Sequence, residues 1–394
     1  MAAGKYGPRW IDAGNCVSNS AFRLDDWIRG KHMTFRLNPH YSGNNPAYLR
    51  KVVRLFSGLA GTGSATGGFG ILPYENNEID LIGVGNPADI DRVNNDPVLS
   101  KQLWQYNGLT TSYLFFRTQE PPFNDNRVRK AIALAIDKQN IADVLFKGTV
   151  VPAYTMRPPS FVGVVEGKNS GFQQHNPEEA RRLLIEAGYP DGKGFPVMEM
   201  WLRDMPAASH GGQAAQVIQQ QLREILGIQI HIRNTQTNTF NSLMYEWKIP
   251  MGLVGYGPDF PDPQSMLGVP WRSQPRGFTR HDWANPRFDE LIDRARSETD
   301  RENRFRLYDE AEGILAGEVG GAFLWHSQGY QLRKPWLKGL KQDRNGFYPF
   351  WENNTVYSEM YIGTEWRNRI ISSRYGKTGR RGCVSAKASF DRYP

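Results

Sequence analysis

The stretch Pro121 to Gly148, PPFNDNRVRKAIALAIDKQNIADVLFKG, constrains this chain more than any other. Its two prolines bar an incoming helix, Asp125 or Asn126 can accept hydrogen bonds from the first free amides, and Gly148 can end the last turn. Val128, Ile132, Ala135, Ile136, Ile141, Val144 and Leu145 recur at helical spacing, which predicts one amphipathic helix with an apolar stripe. Arg127, Arg129, Lys130, Asp137 and Lys138 then remain on its solvent side. Such a helix needs a core to pack against. A chain of 394 residues, 39% hydrophobic and 22% charged, is long enough to supply one and to divide into two lobes.

Other segments give firm local readings. Alternation around Ala21, Arg23, Leu24 and Trp27, and again around Thr34 to Leu37, predicts two strands joined at Arg29-Gly30-Lys31. Val52 to Phe56 and the run TSYLFF, residues 111 to 116, read as further strands, the latter buried. In NPEEARRLLIEAGYPDG, Asn176 can cap a helix, Pro177 suits its first turn, Glu178 and Glu179 suit its positive end, and Gly188 stops it. A strand at Val197 to Leu202, a helix at Gly212 to Leu226 and a strand at Ile228 to Ile232 form a βαβ unit, which implies a parallel pair. Residues 247 to 263 predict a strand that ends in a proline-rich turn. Helices follow at Pro286 to Ser297 and Arg301 to Ala316, and FLWHS (323 to 327) reads as a strand.

These strings, in this order, resemble the family 5 bacterial solute-binding proteins. The likeness is carried by NDNRVRKAIALAID, by NPEEARRLLIEAGYPDGKGFP, by the block from Trp10 to Tyr41 and by ENNEID, and it covers about residues 5 to 362. Ser20 departs from it, standing where the family has a glycine. The resemblance implies an α/β fold, periplasmic-binding-protein-like type II, with two lobes of mixed sheets. It places the remainder of the first lobe at 1–122, the second lobe at 123–334, a return to the first at 335–365 and a basic tail at 366–394. Phe123 to Arg129 would lie beside the hinge. Relatives carry a long stretch before this block, so the first lobe is expected to be incomplete.

The residue pattern offers one good candidate for chemistry. Asp259, in Gly255-Tyr256-Gly257-Pro258-Asp259-Phe260-Pro261-Asp262-Pro263, follows a strand end, where a carboxylate can hold a cationic amine; a turn or capping aspartate is the alternative. The resemblance implies ligand-binding roles for Asp259, for Tyr256 beside it and for His210, the last also readable as a helix-start residue. Thr237, Met244 and Leu253 stand where peptide-binding relatives have a stacking tryptophan and two arginines, so the same peptide specificity is not implied. Asp262 reads as a turn residue.

Other chemistries find little support. The glycines of GLAGTGSATGGFG lack the Lys-Ser/Thr of a phosphate loop and read as a connection. Seven histidines form no H-E-x-x-H, no His/Cys cluster suggests zinc, and no G-x-S-x-G is present. No metal, cofactor or enzymatic reaction is expected. Cys16 and Cys383 are read as unpaired thiols. The chain carries +8, but the segment Arg367 to Pro394 carries +7 of it, leaving about +1 elsewhere, so nucleic-acid binding is not expected of the folded body. No run of about 18 apolar residues predicts a membrane span, and residues 1 to 16 lack a signal-peptide pattern. The expected function, from the resemblance, is reversible capture of a peptide or similar solute for the membrane subunits of an ABC importer, in the periplasm. The alternative is a scaffold or interaction subunit that keeps the fold. A complementary N-terminal half or a larger assembly is the expected additional partner.

Overall fold

A computed structural model describes residues 2–56, 70–159, 161–278, 280–340 and 357–363. The glycine-rich connection, most of the return segment, Cys383 and the basic tail lie largely or wholly outside these residues. In chain order the strands are β1 (Phe22–Ile28), β2 (His32–Leu37), β3 (Lys51–Leu55), β4 (Leu81–Gly83), β5 (Leu103–Phe116), β6 (Val150–Pro152), β7 (Met198–Arg203), β8 (Ile230–Thr235), β9 (Met251–Tyr256), β10 (Gly321–Arg333), β11 (Leu337–Lys338) and β12 (Tyr361–Ile362). The main helices are α1 (Pro87–Asn95), α2 (Asn126–Ala135), α3 (Pro177–Glu186), α4 (His210–Leu226), α5 (Thr237–Tyr245), α6 (Pro286–Ser297) and α7 (Arg301–Gly317). The chain divides into two compact units, Met1–Tyr106 with Gly329–Pro394, and Asn107–Gln328.

In the first unit β1, β2 and β3 form an antiparallel sheet of their own. Gly30 takes φ +74° in the β1–β2 turn, a conformation that suits glycine. Ser20 needs no positive φ; its hydroxyl instead accepts the Phe22 amide at 3.4 Å. A second core gathers Ile71, Tyr74, Val84, Ile90, Val93 and Leu332, where β4 pairs with the end of β10.

The second unit is a mixed sheet between two helical layers. Its strand order is β10-β5-β9-β7-β8; β9 runs antiparallel to β5 and parallel to β7, which is in turn parallel to β8. The period of two sorts the side chains. Leu114, Phe116, Leu202, Met251 and Leu253 join a core with residues of α2, α3 and α4. Tyr113, Phe115, Trp201, Val254 and Tyr256 join another with residues of α5, α6 and α7. The helix α3 is capped as its residues dictate, with Asn176 Oδ1 accepting the Glu179 amide at 3.1 Å.

The stretch 121–148 is broken where one helix was expected. Asp125 caps α2, accepting the Arg127 amide at 2.8 Å, but Ile136 is extended (φ −84°, ψ 115°). Asp137 then caps a short new turn by accepting the Asn140 amide at 2.9 Å. An aspartate that can cap competes with its own place inside a helix. Exposure departs from expectation at three positions. Val144 is open to solvent, while Arg129 and Lys138 are buried. Arg129 donates to the carbonyls of Phe123, Glu318 and Val319 at 2.6, 2.9 and 2.9 Å, filling free acceptors just past the end of α7. Lys138 donates to the Gln173 carbonyl at 2.9 Å, and burial pushes its ammonium well below the usual range. Helix α5 lies where no helix was expected. Met244 and Leu253 are core residues, and Thr237 opens α5.

Candidate functional site

Within the second unit β7, β8 and β9 end at the same edge of the sheet, and β5 enters there, with Thr111 opposite Tyr256 and Arg203 opposite Thr235. Backbone groups and loops at the carboxyl ends of parallel strands form a common place for ligand recognition. Gly257 lets the chain leave β9 close against β5; a Cβ there would lie 2.9 Å from Thr110 Oγ1. The turn that follows is held by its own side chains. The Asp259 amide donates to Ser265 Oγ at 2.8 Å, and Asp262 accepts the Gln264 amide at 2.9 Å. Arg304 donates to both Asp262 oxygens at 2.7 Å, and the two hydrogen bonds hold that carboxyl below its usual range against the opposing effect of burial. Asp262 is thereby spent on structure.

Asp259 differs. It is exposed, and among the described residues its carboxylate forms no ion pair. Tyr256 lies next to it, buried at the end of β9. Burial, and after it the charge of Asp259, pushes the Tyr256 hydroxyl above its usual value. That hydroxyl has no hydrogen-bond partner among the described residues. An exposed carboxylate beside an unmatched phenol suits a donor-rich cation such as a primary ammonium.

His210 sits elsewhere. It is the first residue of α4, behind the Ser209 cap, and its ring packs on Phe146 with centroids 5.8 Å apart. Phe146 belongs to the core on the face opposite Tyr256. The structure thus brings Tyr256 and Asp259 together and leaves His210 beside an aromatic core.

The sequence reading missed the basic side of this edge. Arg203 is the last residue of β7, and Arg280 lies in the connection before α6. The Arg280 guanidinium carbon is 4.7 Å from the centre of the Tyr256 ring. Tyr113 donates to or accepts from His281 Nε2 at 2.9 Å, so the same cluster continues inward. Arg203 was findable, since a polar residue ending a strand of a βαβ unit faces the ligand side of the fold; Arg280 has no such marker.

Comparison with known proteins gives the family and the fold. The family model described as "Bacterial extracellular solute-binding proteins, family 5 Middle" matches residues 4–278. The periplasmic oligopeptide-binding protein OppA of Escherichia coli is 26% identical over 370 residues, 91% of this chain and 63% of that protein. Heme-binding protein A of Haemophilus influenzae is 28% identical over 277 residues, 69% of this chain and 49% of that protein. The crystal structure of a periplasmic oligopeptide-binding protein from Borrelia burgdorferi superposes with a TM-score of 0.71 at 21% identity, covering 92% of this chain and 68% of that one. The α/β, type II periplasmic-binding-protein fold expected from the sequence is the fold of that neighbour. The chain spans less than two thirds of the length of these two sequence relatives.

Proposed function

Because the chain belongs to the bacterial extracellular solute-binding proteins of family 5, we propose that it captures a small amine-bearing solute reversibly, a peptide being the leading class, for an ABC importer. The named relatives bind oligopeptides and heme, so family membership supports capture of a solute and leaves its identity to the site. Binding, with no bond made or broken, is the activity. The periplasmic relatives support an extracytoplasmic place for it. We take the compact unit of residues 107–328 as the body of the second lobe, which the sequence reading places at 123–334.

One observation carries the reading: an exposed, ion-pair-free Asp259 at the carboxyl edge of the sheet, next to the unmatched Tyr256 hydroxyl. Asp259 receives the ligand's ammonium group and Tyr256 orients it. His210, seated on Phe146 beside the core of the opposite face, is given no contact with the ligand in this reading. Asp259→Asn keeps the shape and removes the charge, so it weakens binding of a tripeptide by about 1.5–3 kcal/mol. Calorimetry with both proteins checks this, and equal affinities would remove Asp259 from the site.

The first unit supports one further partner. On the β1–β3 sheet, Leu24, Trp27, Met33, Phe35, Leu37 and Val52 share a face by register, and each is only partly buried. A further first-lobe segment or complementary half is the partner this face supports.

A further inference from the structure

We infer that a cavity past the far end of β5 is a second binding site, which takes a neutral, hydroxyl-rich ligand of the size of a saccharide ring. It does not depend on the reading of Asp259. Thr111 of β5 lies opposite Tyr256, whereas Thr118 follows the end of the strand at Phe116, so at ~3.3 Å per residue the two sites are roughly 20 Å apart. Thr118 and Gln119 come from the turn after β5, Asn124 from the approach to α2, Trp283 from the approach to α6 and Glu318 from the end of α7. They line about 370 Å³, which falls among small-molecule sites of about 300–1,000 Å³.

The backbone behind these groups is held firmly. Asp282 accepts the Thr118 and Gln119 amides at 2.8 and 3.3 Å, and Arg129 donates to the carbonyls of Glu318 and Val319. Val319 is kept at φ +49°, a conformation rare for a β-branched residue, which persists only where the surroundings over-determine it. The side chains in front keep unspent polar atoms. Trp283 is 3% exposed, yet its indole N–H has no acceptor among the described residues. The Asn124 side-chain amide likewise has no partner among them. Gln119 donates through Nε2 to the Asp282 carbonyl at 3.2 Å and leaves its Oε1 open. Glu318 accepts Asn285 Nδ2 through Oε1 at 2.8 Å and leaves its Oε2 open. Donors and acceptors are therefore mixed. A hydroxyl donates and accepts at once, so adjacent hydroxyls on one ring match groups that converge from several segments. An ammonium would leave the donors of Trp283 and Asn124 unmatched, and an anion would be opposed by Glu318.

The test is calorimetry on the full chain with methyl glucoside, methyl N-acetylglucosaminide, maltotriose, glucosamine and an end-capped, uncharged alanine peptide. Wild type, Asn124→Ala, Glu318→Gln and Asp259→Asn are compared, with thermal melts to confirm folding; Gln119→Ala replaces any cavity variant that melts early. The expected result is millimolar or tighter binding of a neutral saccharide, weakened about five-fold or more by Asn124→Ala and by Glu318→Gln and unchanged by Asp259→Asn. Preference for maltotriose over the methyl glycosides assigns the site to a glycan, and the reverse preference to a free sugar; both support it. Failure of every neutral saccharide to bind overturns the inference. So does binding that Asp259→Asn abolishes and Asn124→Ala spares, which would move the sugar to the other end of the sheet. Tighter binding of glucosamine, lost in Glu318→Gln, would make the site one for amines, and tighter binding of the capped peptide would make it one for peptide amides; each overturns the class proposed here. None of these outcomes touches the role of Asp259, which is read from tripeptide binding.

Discussion

Strands β3 and β9 are of similar length, yet one is open and the other enclosed. In β9 five of six residues are buried, because β5 and β7 flank it and helices cover both faces. In β3, Lys51, Val53, Arg54 and Leu55 are all exposed, and the sheet it edges leaves its apolar face partly open. Among the described residues, the second unit therefore completes its own core, whereas the β1–β3 sheet keeps apolar surface available. The candidate ligand groups are attached to the enclosed unit, where packing buries Tyr256 and the Asp259 backbone amide is tied to Ser265.

Ion pairs give the sharpest test of this contrast. In the second unit Arg157 is 1% exposed and held by Asp309 and Glu312. Arg157→Met would strand the buried Glu312 carboxylate and leave Asp309 with Lys168 as its ion-pair partner, and is expected to cost about 3–5 kcal/mol in chemical denaturation. In the first unit Arg36 lies 2.6 Å from Asp25, but its side chain is half exposed. Arg36→Met is expected to cost about 0.2–1 kcal/mol. Comparable losses from the two variants would break the contrast.

Acid should act on the enclosed unit through its buried histidines. Burial, and next the charge of Lys138, pushes His326 down to about 3; burial and next Arg280 push His281 well below its usual value. Unfolded histidine protonates near pH 6.5. Below about that pH the unfolded chain takes up protons that the folded chain refuses, so stability present at neutral pH is lost as pH falls towards about 3. The loss per histidine approaches about 1.4 kcal/mol per pH unit. Urea titrations at pH 7, 6 and 5 should show a shallower decline for His326→Gln than for wild type. Parallel declines would mean that His326 takes a proton in the folded state.

How far the sequence reached follows from the range of each interaction. The caps of α3 and the βαβ unit were legible because Asn176, Pro177 and the apolar spacing act within a few residues. The family resemblance was legible because it lies in contiguous strings, and the family match over residues 4–278 bears it out. The break at Ile136 was hidden because periodicity cannot weigh Asp137 as a cap against Asp137 as a helix residue. Arg129 read as a solvent residue because its partners, Glu318 and Val319, lie some 190 positions away. The same distance effect concealed Arg280, which meets Tyr256 only through the fold. Asp259 stood out because a carboxylate after a strand end is a local signal, but its ligand-binding role and that of Tyr256 came only with the family resemblance.

The smallest expected effect sharpens the comparison most, because it asks whether the β1–β3 sheet is covered in solution. Register places Val53 opposite Thr34 and Leu55 opposite His32, on the face away from Phe35 and Val52. Val53 is 47% exposed. Val53→Thr loses one methyl group to a hydroxyl at an open edge strand and retains β-branching, so unfolding free energy should change by no more than about 0.5 kcal/mol. Phe35→Ala, on the apolar face, is expected to cost more within the chain, and it also removes the surface that a partner segment would cover. Sedimentation at several concentrations separates these effects. If the face is open, wild type self-associates as concentration rises, Phe35→Ala weakens that association, and Val53→Thr leaves it unchanged. A wild type that stays monomeric at high concentration and binds no apolar dye would show that the chain protects this face unaided, and the contrast between β3 and β9 would then reduce to one of strand position alone.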